Sequence, residues 1–101
     1  MNDLERARET INRVDAEMAR LFEERMHACE TIAAYKKAHG LPMRDAAREA
    51  EVLGRARALL QSPELAPYYV RFLKSAIDLS CEYQTRLLRG SPEAPEKEAR
   101  A

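Results

Sequence analysis

Glycine and proline are scarce in this chain, three and five in 101 residues. With 34% charged and 46% hydrophobic residues, that is the composition of a helix-rich soluble protein. It excludes a β-sandwich and a disordered chain. A charge excess is also lacking, because 17 Lys+Arg balance 17 Asp+Glu. Bulk charge therefore gives no reason to seek nucleic acid or an anionic membrane. No apolar run approaches the roughly 18 residues that a membrane span needs. The polar, acidic start Met1-Asn2-Asp3-Leu4-Glu5 does not read as a signal peptide, so a cytoplasmic location is expected. Only two cysteines occur, Cys29 and Cys81, in neither a CxxC motif nor a disulfide framework, and both are expected as free thiols. Two His and two Cys, widely scattered, offer no metal-ligand spacing, so no metal is expected. The length allows one domain.

What is present is helical periodicity. Leu4, Ile11, Met18 and Ile32 hold one heptad phase, and Ala7, Val14, Leu21, Ala28 and Tyr35 hold the other. Asn2 with Glu5 reads as a capping box, and Gly40 with Pro42 as the stop. About 35 helical residues span roughly 50 Å at 1.5 Å per residue. A compact globule of this length is only about 35 Å across, so its own chain cannot cover such a helix. A second copy is needed, most simply in a two-fold dimer. Asp45 caps a second helix that runs to about Leu60, its stripe being Ala46, Leu53, Ala56 and Leu60. Gly54 within it has no account beyond close packing. Ser62-Pro63 ends the segment, and Pro67 places the start of a third helix near Ala66. The third stripe is Tyr69, Phe72, Leu73, Ala76, Ile77, Tyr83 and Leu87, with Gly90 as its stop. Residues 91–101, rich in charge and lacking apolar periodicity, read as a disordered tail after a domain of residues 1–90.

The positions that break these stripes carry the functional information. Arg25 shares the phase of Leu4, Ile11, Met18 and Ile32. A guanidinium there requires an anionic partner or a wet cavity, so it is either a structural interhelical ion pair or a ligand contact. Lys36, 11 residues on, falls about 20° from Arg25 on the same face. It either binds an anion there or snorkels at the helix end. Glu49 falls in the second stripe beside Arg48, one turn after Asp45, where an ordinary acidic first turn is the alternative. Ser80 and Gln84 interrupt the third stripe, and each could instead satisfy a backbone group. Polar groups converging from three helices would enclose a pocket with excess positive charge, suited to a small dicarboxylate. No Cys–His pair, Ser–His–Asp set or phosphate loop is present to support nucleophilic or metal chemistry.

Three stretches carry a family resemblance: Leu21-Phe22-Glu23-Glu24-Arg25-Met26, Ile32-Ala33-Ala34-Tyr35-Lys36-Lys37, and Arg44-Asp45-Ala46-Ala47-Arg48-Glu49. The chain resembles the all-helical chorismate mutases of the AroQ class, from about Leu4 to Leu88. The resemblance implies an all-α fold of one very long and two shorter helices in an intertwined antiparallel homodimer. It implies that Arg25 pairs with a substrate carboxylate and that Lys36 reaches a carboxylate and the ether oxygen. Glu49 then holds the ring hydroxyl, while Arg48 and Asp45 border the site. Ser80 becomes a carboxylate contact and Gln84 the second donor to the ether oxygen. Arg8 matches an arginine supplied by the other subunit. Geometry agrees, since Arg8 lies 17 residues from Arg25, about 25 Å along one helix, too far to serve one small ligand.

The implied activity is an isomerase reaction, a concerted Claisen rearrangement of chorismate to prephenate in the shikimate pathway toward aromatic amino acids. It needs no cofactor. A stimulatory partner enzyme is left open. Isochorismate pyruvate lyase and aminodeoxychorismate mutase are alternatives on the same fold, and a non-catalytic helical dimer is an alternative of another class.

Overall fold

The computed structural model describes residues 2–89 and is all-helical over that range. Helix α1 spans Asp3–His39, α2 spans Ala46–Arg55 and α3 spans Ala66–Leu88. Gly90 as a helix stop, and the tail of residues 91–101, lie outside the described residues.

Each boundary has a local cause. The Asn2 side chain accepts from the Glu5 backbone N–H at 2.8 Å, satisfying one orphan donor of α1. The return half of the box runs to the Asn2 side chain rather than to its backbone, with Asn2 Nδ2 donating to Glu5 at 3.3 Å. At the other end Gly40 adopts φ 62°, the left-handed cap that glycine allows without a Cβ clash. Asp45 caps α2 by accepting from the Arg48 backbone N–H at 3.0 Å. Pro67 sits in the first turn of α3, where its missing N–H costs nothing.

Helix α2 is shorter than its periodicity suggests. It stops at Arg55 and tightens into a 3-10 turn over Arg57–Leu59, so the expected end at Leu60 is corrected. Ala56 is sealed in the core there and pins the turn. Close packing does not explain Gly54, because a Cβ built on it meets nothing within 4 Å. It lies one residue before the helix ends, where its low helix propensity favours termination.

The layout is dominated by α1. At 54 Å the longest dimension of the molecule matches 37 residues of helix at about 1.5 Å each. The radius of gyration is 16.6 Å, against about 13 Å for a compact chain of this size. Only the C-terminal third of α1 is packed, with Cys29 and Ala33 buried against α3. Every residue from 2 to 25 is exposed, including Leu4, Ile11, Val14, Met18 and Leu21 of the heptad seam. On α3, Ile77, Ser80, Cys81 and Gln84 are buried, while Tyr69, Leu73, Ala76, Tyr83 and Leu87 are half-buried. Phe72 departs from the expected stripe and is 57% exposed, as is Ala46 from that of α2, which is exposed. Tyr83 ties α3 to α1 by donating to Glu30 at 2.6 Å, which raises the phenol's pKa. No large side chain among the described residues is fully sealed. The subunit holds too little core to account for so long a helix.

Candidate active site

A cleft of about 310 Å³ opens where the packed end of α1 meets α2 and α3. Arg25 and Lys36 from α1, Asp45, Arg48 and Glu49 from the start of α2, and Ser80 and Gln84 from α3 all line it. Seven of the eight residues singled out in the sequence are thus brought to one place. Its apolar wall is Ile32, Val52 and Ile77, with both thiols, Cys29 and Cys81, facing the same space. Burial raises the Cys81 pKa, although Arg44 and Lys36 oppose the shift. The volume suits a small organic molecule.

Lys36 does not lie loose at the helix end. Its Nζ donates to the Met43 carbonyl at 2.5 Å and to Gln84 Oε1 at 2.9 Å. Lysine has no acceptor, so this contact fixes which way the Gln84 amide faces. The Nε2 hydrogens of Gln84 are the ones left over. Gln84 is 6% exposed, yet no buried side-chain nitrogen or oxygen lacks a partner among the described residues, so these hydrogens open into the cleft. Lys36 keeps one of its three donors as well. The Lys36 ammonium and the Gln84 amide therefore stand side by side in the lining of the cleft.

Arg25 forms no interhelical ion pair among the described residues, which disposes of the structural alternative for it within this subunit. Ser80 follows the bland alternative: its hydroxyl donates to the Ala76 carbonyl at 2.8 Å, with Met26 Sδ at 3.9 Å. To donate to a carboxylate it must give up the Ala76 bond. Arg48 lines the cleft while its guanidinium donates to Glu51 at 2.6 Å.

Glu49 has a partner that the sequence reading did not single out. Arg44, in the connection before α2, grips both its carboxylate oxygens, Nε to Oε2 at 3.1 Å and Nη2 to Oε1 at 2.7 Å. The same Nη2 donates to Asp78 of α3 at 3.0 Å. The Arg44 bonds hold the Glu49 carboxyl below the ordinary glutamate pKa, against burial and the neighbouring Asp78 and Asp45. A carboxylate shifted down contributes stability above its unfolded pKa of about 4.3 and loses it as pH falls through the folded value. Glu49→Gln should therefore melt below the wild type at neutral pH, and the two melting curves should converge in acid. A gap that persists in acid would deny that ionisation of Glu49 is its cause.

Arg8 lies outside the cleft, on the stretch of α1 where every residue is exposed. Among the described residues no group of three or more His, Cys, Asp or Glu is placed to hold a metal ion. No described helix is long and apolar enough to cross a membrane.

A cleft between three helices, with an arginine that has no partner among the described residues and a contacting lysine–glutamine pair beside an apolar wall, defines a helical protein with a pocket for a small molecule. The profile of the family described as chorismate mutase type II matches residues 7–85, and the chain belongs to that family. No curated protein and no solved structure matches the chain significantly. The resemblance to the AroQ class drawn from the sequence motifs therefore stands on the family as a whole.

Proposed function

We propose that the cleft rearranges chorismate to prephenate, without a cofactor, in an antiparallel homodimer with two composite sites. The observation that carries the reading is the pairing of Lys36 and Gln84, which leaves a cationic and a neutral donor side by side. In the Claisen shift the ether C–O bond breaks as the new C–C bond forms, and negative charge grows on the ether oxygen. Donors aimed at that oxygen bind the transition state better than the substrate. Arg25, without a partner among the described residues, clamps one carboxylate, and Arg8 from the second subunit clamps the other. Together they hold the flexible side chain over the ring, which the apolar wall supports. Ionised Glu49 accepts from the ring hydroxyl.

The test is loss of chorismate absorbance with purified protein, with the product identified by chromatography and isochorismate and aminodeoxychorismate assayed alongside. Prephenate from chorismate, with little turnover of the other two, is the expected result. Turnover of isochorismate or of the amine instead would move the assignment within the fold. No turnover of any would favour a non-catalytic dimer, a reading that requires the inward polar groups to satisfy one another.

The dimer has its own physical support. Leu4, Ile11, Met18 and Leu21 form an exposed apolar seam on a helix that the rest of the subunit leaves uncovered. Ile11→Asp should shift the protein from dimer to monomer by sedimentation and lower Tm by several degrees, since each buried apolar side chain lost from the seam is worth roughly 1.5–3 kcal/mol. An unchanged sedimentation coefficient would remove this seam from the interface.

A further inference from the structure

The proposed reaction requires Glu49 to receive a neutral ring hydroxyl, yet a bare carboxylate beside Asp78 would draw a cation more strongly than an alcohol. The two acids do not stand alone, because the Arg44 guanidinium lies between them at 2.7 Å from Glu49 and 3.0 Å from Asp78. We infer that Arg44 is a specificity-determining and positioning residue that biases the ring-group pocket toward a hydroxyl and away from an ammonium. This rests on the proposed chorismate site.

Three features support it. The Arg44–Asp78 ion pair contributes little to stability, since both partners are about half exposed. What the fork does is geometric: two parallel bonds fix the plane of the Glu49 carboxylate. Each carboxylate oxygen has two lone-pair directions, so one on each oxygen stays open to a ligand donor. The third feature is charge. Glu49, Asp78 and Arg44 sum to one negative charge, and without Arg44 they would carry two. The surrounding groups do not supply the missing cation equally well: Asp45 adds a further acid, Cys81 is neutral, Arg48 is turned to Glu51, and Lys36 is held by Gln84 and Met43. A neutral hydroxyl is nearly indifferent to the extra negative charge, whereas an ammonium gains from it.

The test measures binding, so that it does not depend on turnover. The probes are two chorismate analogues saturated at the ring double bond that takes up the new C–C bond, one carrying the ring hydroxyl and one an amine. Their Kd values are read by calorimetry near pH 6.5, where an aliphatic amine is protonated. Arg44→Gln should shift the Kd ratio toward the amine by about five-fold, as expected for one charge across a wet pocket. Arg44→Lys keeps the charge but loses the fork, so both ligands should weaken with the ratio unchanged. Asp78→Asn, on an exposed flank of α3, should move the ratio the other way. A ratio unmoved by Arg44→Gln and Asp78→Asn, or moved equally by Arg44→Lys, overturns the proposal. So does failure of the hydroxyl analogue to bind the wild type. If that analogue binds and the ratios behave as stated while chorismate is not turned over, the reaction assignment fails and the role of Arg44 survives.

Discussion

Replacing Lys36 by alanine is expected to lower kcat by about 10²–10³-fold while leaving the helical fold in place. A rate enhancement near 10⁶ needs about 8 kcal/mol of differential stabilisation. One charge-assisted hydrogen bond supplies roughly 1.5–3 kcal/mol, so Lys36 cannot account for the whole, and restriction of the substrate must supply much of the rest. The loss should nevertheless exceed that of a single bond. Lys36 also orients Gln84 through the 2.9 Å contact to Oε1. Without a pure donor opposite, the amide is free to present its oxygen to the ether oxygen, which repels rather than stabilises. Gln84→Ala in the Lys36→Ala background should therefore cost less than Gln84→Ala alone, a non-additivity that a double-mutant cycle reads directly. The fold survives because Lys36 is only half-buried and the Met43 carbonyl it leaves can be met by water. The checks are far-UV circular dichroism and chorismate kinetics, and near-normal turnover would remove Lys36 from its assigned role. Because the Gln84 amide neither gains nor loses a proton, wild-type turnover should not fall as pH rises from about 5 to 8. A fall would indicate an acid at the ether oxygen that these residues do not provide.

Much of this architecture was legible because it is written in local chemistry. The caps at Asn2 and Asp45 and the proline at 67 act within one helical turn, so the starts of all three helices could be read residue by residue. The site was legible for a different reason. Arg25, Glu49, Ser80 and Gln84 each interrupt an apolar stripe, and an interruption aimed at a core has few meanings. Where the signal depended on contacts between distant residues, it vanished. The Arg44–Asp78 bond spans 34 residues, and neither partner breaks a stripe, because Arg44 lies in a connection and Asp78 on a solvent flank. Phe72 fits the period of its helix yet is 57% exposed, with no neighbouring element of the described residues covering it. Periodicity specifies which residues share a face, not how far the neighbouring element extends. The early end of α2 at Arg55 is of the same kind, since burial of Ala56, added to the low helix propensity of Gly54, goes with a tighter turn there.

Mixing two inactive proteins, Arg8→Ala and Arg25→Ala, is expected to restore activity to about a quarter of the wild-type value. The figure follows from two-fold symmetry. Random exchange of equal amounts makes half the dimers mixed, and each mixed dimer holds one site with both arginines and one with neither. The physical basis lies along α1. Arg25 lines the cleft, whereas Arg8 sits about 25 Å away on the same helix, in a stretch whose described residues are all exposed. No hinge within α1 can close that gap, since neither Gly nor Pro interrupts the helix between them. A second copy running antiparallel and crossing near Met18 lies close to the midpoint between the two arginines, and brings each Arg8 to the opposite Arg25. In the proposed dimer the same crossing would cover Ile11, Val14 and Leu21, so that completing the site and burying the seam would be one event. Activity should consequently depend on protein concentration near the dimer dissociation constant, with dilution inactivating wild type and mixed dimers alike. Subunit exchange verified by mass-tagged chains, followed by no recovery, would place both arginines outside a shared site and leave the second carboxylate to a group within the subunit.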